Sequence, residues 1–151
     1  MKKEDLLSDE FLKQFKTGED LYGFLAQLQK RGLEKMLEGE LDAHLGYDKH
    51  EKTTKTNARN GFSNKKIKTS FGESEIQVPR DRDASFNPLI VPKRQNMLDG
   101  LENVIVSLYA KGMSNSDIEE QIREVYNFEV STSTISRITD TVSSDIIAWQ
   151  N

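Results

Sequence analysis

Lys66-Ile67-Lys68-Thr69-Ser70-Phe71-Gly72-Glu73-Ser74-Glu75-Ile76-Gln77-Val78 alternates polar and apolar residues on both sides of a glycine. Successive side chains of a strand point to opposite faces, so two alternating runs joined at a glycine predict a β-hairpin. Its apolar side would carry Ile67, Phe71, Ile76 and Val78. Lys66 and Lys68 share the opposite face. Pro79, which has no N–H to donate, is expected to end the second strand. An isolated hairpin is marginal in water, so this one must pack on helices or on DNA.

The surroundings of the hairpin are basic and irregular. Lys49-His50-Glu51-Lys52-Thr53-Thr54-Lys55-Thr56-Asn57 is polar and aperiodic and reads as a loop. Asn60-Gly61 reads as a turn, and Pro88 and Pro92 mark a loop after Arg80-Asp81-Arg82-Asp83. Residues 48–94 hold 11 Lys/Arg against 6 Asp/Glu, whereas residues 1–47 hold 7 against 10 and residues 95–151 hold 3 against 9. The net charge of −4 therefore hides a basic middle between acidic flanks. Charge distribution, more than net charge, reports on polyanion binding. A solvated basic loop would give the same pattern.

Both flanks read as helical. Leu6, Leu7, Phe11, Leu12 and Phe15 recur at helical spacing, Thr17-Gly18 interrupts, and Leu21, Phe24, Leu25 and Leu28 resume. Gly32 is placed to cap that second segment. Leu33, Met36, Leu37, Leu41, His44 and Leu45 then stripe a third, ended by Gly46-Tyr47. Glu34, Glu38 and Asp42, four residues apart, read as a solvated face rather than as metal ligands. Beyond the hairpin, Leu98, Leu101, Ile105, Leu108 and Tyr109 form one stripe, and Ile118, Ile122 and Val125 a second. Ile135, Ile138, Val142, Ile146 and Trp149 form a third. Ser114 with Asp117, and Ser131, are placed to cap the last two helices. The fold class is mainly α with a small β-hairpin: N-terminal helices over 1–47, a basic loop and hairpin over 48–95, and a helix-turn-helix over 96–151.

The helix-turn-helix and the hairpin are the two candidates for contact with DNA. Thr132, Ser133, Ser136 and Arg137 open the last helix; short polar side chains let a helix seat deep in the major groove, where Arg reaches base edges. Lys65, Lys66 and Lys68 on one strand, with Arg80 and Arg82 after the other, would hold phosphates. The competing views are a three-helix unit that serves only for packing, and a salt-bridged Arg80–Asp81–Arg82–Asp83 corner.

No catalytic or metal-ligating constellation is read. His44 and His50 stand alone in a chain without cysteine, short of the four ligands a zinc site needs, and His44 reads as a packing or capping residue. P-loop and nucleophile-elbow patterns are absent from the sequence. The carboxylates are scattered, and Asp140 and Asp145 lie on a helix, where a solvated or capping role is expected. Absence of cysteine and of any apolar run approaching the roughly 18 residues of a membrane span leads to an expected cytoplasmic, nucleoid-associated protein.

Three stretches, taken together, resemble a known family. They are Glu40-Leu41-Asp42-Ala43-His44-Leu45-Gly46-Tyr47, then Arg59-Asn60-Gly61 with Thr69, Gly72-Glu73, Val78-Pro79-Arg80-Asp81-Arg82, Phe86, Pro88 and Lys93-Arg94-Gln95, then Leu108-Tyr109-Ala110-Lys111-Gly112-Met113-Ser114 leading to Val130-Ser131 and Ile135-Ser136. In this order they resemble the N-terminal part of Mutator-type transposases of bacterial insertion sequences, over roughly residues 20–151. The resemblance implies metal-dependent cleavage and strand transfer of DNA by a ribonuclease-H-like core whose Asp-Asp-Glu triad holds two Mg²⁺ ions. That core would follow the matched region, so no residue here is assigned to the triad and no cofactor is expected in this chain. The chain would be a domain, a truncated remnant or a natural short product. Its expected partner is double-stranded DNA at the terminal inverted repeats, with a second copy or a full-length transposase beside it. Two alternatives stand: a stand-alone repressor of transposition, and an oligomerisation module built on the Leu33–Leu45 stripe.

Overall fold

The structure, a computed structural model, describes the backbone of residues 2–150 and the side chains of residues 2–141. Helices α1 (Lys3–Leu6), α2 (Asp9–Leu12) and α3 (Gly18–Leu45) come first. Strands β1 (Arg59–Thr69) and β2 (Gly72–Asp81) follow, then α4 (Leu101–Ala110), α5 (Asn115–Tyr126) and α6 (Thr132–Gln150). A mainly helical chain with one antiparallel hairpin is thus what forms. The expected apolar positions Val142, Ile146 and Trp149, and Asp145, lie outside the described side chains.

Thr17 starts α3 by accepting from the Asp20 N–H, and Gly46, at φ +82°, ends it, with Lys55 Nζ donating to the last carbonyl, Leu45 O, at 3.1 Å. Gly32 does not cap a helix here: α3 runs 28 residues straight through it. A helical glycine costs only about 1 kcal/mol relative to alanine. The apolar face on its carboxyl side offsets that, since Leu33, Leu37, Leu41 and Leu45 recur every four residues and all are drawn onto the hairpin and the loop after it. At the other end, Phe11, Phe15 and Phe24 form a small aromatic cluster, with ring centres 5.4 to 5.7 Å apart, that ties α2 to α3.

The hairpin packs on α3, as an amphipathic ribbon must. Leu37, Ile67 and Ile76 are completely buried and meet Val91 and Leu98 in one core; Leu41 and Leu45 close a neighbouring one with Phe86. Leu33, Leu37, Leu41 and Leu45 of that stripe therefore face the chain's own hairpin and the loop after it, while Met36 stays exposed. Three local expectations change. The turn is Ser70-Phe71, one step before the glycine, because Thr69 pairs with Gly72; Phe71 is consequently out at the tip and Thr69 takes the buried position. The Thr69 hydroxyl accepts from the Phe71 N–H at 3.1 Å and donates to Gly72 O. Asn60-Gly61 is not a turn but an extra residue in β1, where the register shifts between Arg59 and Phe62 and Gly61 takes φ +68°. Pro79 lies inside β2, opposite Phe62, since both strands of a two-stranded ribbon are edges and tolerate a missing N–H.

Acidic residues of α3 fasten the ribbon. Glu34 accepts from the Gln77 N–H, Glu40 accepts from the N–H groups of Leu89 and Ile90, and Asp42 pairs with Arg59, whose guanidinium also lies over the Tyr47 ring. Glu38 pairs with Lys35. Glu34 and Asp42 are thus structural acceptors, not a merely solvated face.

Asp81 is the buried polar centre of this half. Its carboxylate accepts from Asn57 Nδ2 at 2.9 Å, Ser85 Oγ at 2.7 Å, and the N–H groups of Ser85 and Phe86, and His44 Nε2 lies 3.2 Å away. Burial pushes its pKa up, but the hydrogen bonds from Asn57, Ser85 and Phe86 outweigh it and hold the carboxyl well below the usual range. The salt-bridged Arg80–Asp81–Arg82 corner is not formed, because Asp81 is turned inward.

The carboxyl-terminal half is a three-helix unit around Met97, Leu101, Ile105, Ile118, Ile122, Phe128, Val130, Ile135 and Ile138. Ser114 caps α5 by accepting from the Asp117 N–H, and Ser131 caps α6 by accepting from the Thr134 N–H. Leu98 precedes α4 instead of belonging to its stripe: residues 96–98 run beside β1, with Lys68 N donating to Asn96 O and Leu98 N to Lys68 O, both at 2.8 Å. Asp99 joins the halves by accepting from Gln29 Nε2 and from the N–H and hydroxyl of Ser70.

Two outcomes follow for stability. Leu37→Ala should lower the unfolding free energy by about 2–5 kcal/mol, measured by urea titration, because a filled core site is emptied. The depressed Asp81 pKa contributes stability that is present above the unfolded value of about 4 and lost as pH falls toward the folded one. Asp81→Asn should therefore destabilise the protein at pH 7, and its deficit against the wild type should shrink below pH ~4; a deficit constant from pH 7 to 2 would remove Asp81 as the acid-sensitive group.

Candidate nucleic-acid interface

The bulge in β1 shapes a groove. Between the far end of the hairpin and the loop of residues 84–93 lies a cavity of about 450 Å³. Its floor is apolar, made by Val78, Phe86, Pro88 and Val91. Its rim is cationic, with Lys65, Arg80, Arg82 and Lys93. Asp81 also borders it, but its carboxylate is saturated by the inward hydrogen bonds. Arg80 and Arg82 are exposed, and no ion pair among the described residues uses them or Lys93. Arg80 is steadied by a weak bond from Nε to Asn60 O at 3.4 Å, and Arg82 by its own N–H on Ala58 O at 2.8 Å. The uncompensated cations of such a rim are suited to meet phosphate at its edge.

The three lysines of β1 separate. Lys65 faces the groove, where Nζ donates to Pro92 O at 2.6 Å and to Lys93 O at 3.3 Å, and burial lowers its pKa. It thus anchors the loop that makes one groove wall. Lys66 and Lys68 lie on the other face, paired across the ribbon with Glu75 and Glu73. Opposite charges directly across two strands attract one another, but among the described residues neither lysine is within ion-pair distance of its glutamate. Lys68 is further engaged, with Nζ 6.0 Å from the centre of the Phe128 ring. The proposed cluster of five cations is therefore split: Lys65, Arg80 and Arg82 share the groove, and Lys66 and Lys68 do not.

A second polar surface lies on α6. Ser133, Ser136, Arg137, Asp140 and Thr141, spaced three or four apart, line one shallow concave face of the helix. Thr132 is exposed beside them but outside that concavity. Ile135, Ile138 and Thr139 on the other side are buried in the three-helix core. Ser136 Oγ accepts from Asn115 Nδ2 at 2.8 Å, which locks the start of α5 to this face. Asp140 places a carboxylate in the same concavity as Arg137.

Two participants were not reached by sequence reasoning. Lys93 stood in a basic run with Arg94, but only the fold shows that it completes the rim. Asn115 is 21 residues from Ser136, and no local pattern links them. Among the described residues no group of three His, Asp or Glu side chains is placed to hold a metal ion. Nor is any described helix long and apolar enough to cross a membrane.

Comparison with known proteins agrees with the resemblance seen in the sequence. The model of the family described as Transposase, Mutator family, matches residues 1–151. A probable transposase for insertion sequence element ISRM3-like of Sinorhizobium fredii is 35% identical over 129 residues, covering 85% of this chain and 32% of the relative. The transposase for insertion sequence element IS905 of Lactococcus lactis is 30% identical over 148 residues, covering 90% of this chain and 37% of the relative. The chain spans about a third of the length of the curated relatives it matches. With the family model matching along its full length, this chain belongs to the Mutator family of transposases.

Proposed function

We propose that this chain is the DNA-binding front part of a transposase and recognises the terminal inverted repeats of an insertion sequence. One observation carries the reading: Ser133 and Arg137 lie exposed on a polar face of α6, with Ser136 half-buried beside them, outside the core of the three-helix unit. In this reading α4, α5 and α6 act as a helix-turn-helix, and α6 enters the major groove with its amino-terminal turns. Arg137 reaches a base edge, and Thr132, Ser133 and Ser136 allow close approach. Arg80 and Arg82 hold backbone phosphates. Lys65 acts indirectly by fixing the groove wall, and Lys66 and Lys68 contribute little because Glu75 and Glu73 oppose them. Cleavage and strand transfer are assigned to no residue of this chain. A second copy is the expected partner on the DNA, and a full-length transposase with its own Mg²⁺-holding core is the partner that this reading requires for chemistry. Such a protein would reside on the nucleoid.

The test is binding to a duplex of the element's terminal repeat and to a scrambled duplex across a salt series. The repeat should be preferred. Arg137→Ala should cost about 1–3 kcal/mol on the repeat and relax a single base position. Replacing Arg80 and Arg82 together by Gln should weaken both duplexes and flatten the salt dependence by about 0.9 per lost phosphate contact. Equal weakening by Arg137→Ala on both duplexes would remove base reading from α6, and absence of binding at low salt would sink the proposal as a whole.

A further inference from the structure

The groove at the bulged end of the hairpin does not match a duplex backbone. The exposed arginines of its rim can meet duplex phosphates, but those contacts leave the recess with its apolar floor unused. At about 450 Å³ the cavity falls within the roughly 300–1,000 Å³ range of small-ligand pockets. It is larger than a bare phosphate needs, and a duplex is far too wide to enter it. What the recess offers is two chemistries side by side. Val78, half-buried, and the buried Phe86, Pro88 and Val91 beneath it make an apolar bottom, and Arg80, Arg82 and Lys93 present cations at the rim. Asn60 and Ser63 add uncharged polar side chains on the β1 wall. A nucleotide that has left its stack has the matching pair of parts: a flat, largely apolar base and an anionic phosphate on either side of its sugar.

We infer that this groove takes up a single unpaired nucleotide of a DNA strand, its base against the Phe86–Pro88–Val91 floor and its flanking phosphates on Arg80, Arg82 and Lys93. The inference rests on the proposed DNA-binding role and adds a substrate state to it: DNA with one base out of the helix. Apolar burial and stacking are tolerant of base identity, because every base has a π-face. The groove would therefore add affinity for distorted or opened DNA without reading sequence, and leave sequence to α6. The energetic logic favours a base that is already unpaired, since extruding one from an intact duplex costs a few kcal/mol. Asp81 has a passive part in this. Its carboxylate borders the groove, and only its inward hydrogen bonds keep a negative charge from facing the incoming phosphate.

The full chain is titrated into three DNA probes that carry the same 2-aminopurine: paired within a duplex, extrahelical as a one-base bulge, and in a single strand. The bulged probe should bind about tenfold tighter than the paired one, as expected of one additional stacked base, and its 2-aminopurine emission should change on binding. Ser63→Leu narrows the groove without altering charge at an exposed strand position opposite Val78. It should bring the bulge preference to near unity and leave the paired duplex unaffected. Lys93→Gln, on the exposed loop, provides a second variant and should weaken the bulged probe more than the paired one. Equal affinity for bulged and paired probes would overturn the inference, as would a preference that survives both substitutions. Competition by free 2-aminopurine deoxynucleotide as effective as that of the bulged strand would also overturn it, in favour of a mononucleotide site. Failure of the functional reading is distinguishable: the terminal repeat would lose its preference over scrambled duplex while the bulge preference stayed.

Discussion

Asp81 turns its carboxylate away from the arginines on either side of it. Arg80 and Arg82 are its sequence neighbours, yet it accepts from Asn57, Ser85 and Phe86, with His44 beside it. A buried carboxylate left without such donors would be strongly destabilising. Gathering them draws together the end of α3, the loop before β1, the end of β2 and the corner that follows. The same choice of partners leaves both guanidiniums facing solvent. The cationic rim is thus a consequence of how a single anion is satisfied.

The remainder of the fold positions that corner. Leu37, Ile67 and Ile76 fix the ribbon on α3, Glu34 holds its Gln77 N–H, and Glu40 holds the Leu89 N–H of the loop that follows. Pro79 and Asp81 lie on the face of β2 opposite Ile76 and Val78, across from the extra residue in β1, and both are buried there. Downstream, residues 96–98 run along β1, and Asp99 joins Gln29 to Ser70. These contacts connect the ribbon to the three-helix unit that presents α6.

Much of this was legible in the sequence where the signal is local. The alternation of residues 66–78, the caps at Ser114 and Ser131, and the apolar stripes at helical spacing each need only neighbouring residues to be read. The site was less legible because its decisive terms are non-local. Lys66 and Lys68 look like free cations until the register places Glu75 and Glu73 across from them. Gly32 looks like a cap until the leucines after it are seen to need a continuous helix for the hairpin. Asn115 and Lys93 join their sites through contacts that no spacing rule connects. The family resemblance named the kind of protein; it did not sort the cations into those that face outward and those already engaged.

The most direct measurement is a map of backbone amide shifts on a ¹⁵N-labelled chain as terminal-repeat duplex is added. Perturbations should concentrate at residues 132–137 and at Arg80 and Arg82. The Lys66–Glu75 and Lys68–Glu73 face should stay near its free values. Perturbations centred on that face, with Arg137, Arg80 and Arg82 unmoved, would contradict the division of roles and place the DNA on the other side of the ribbon.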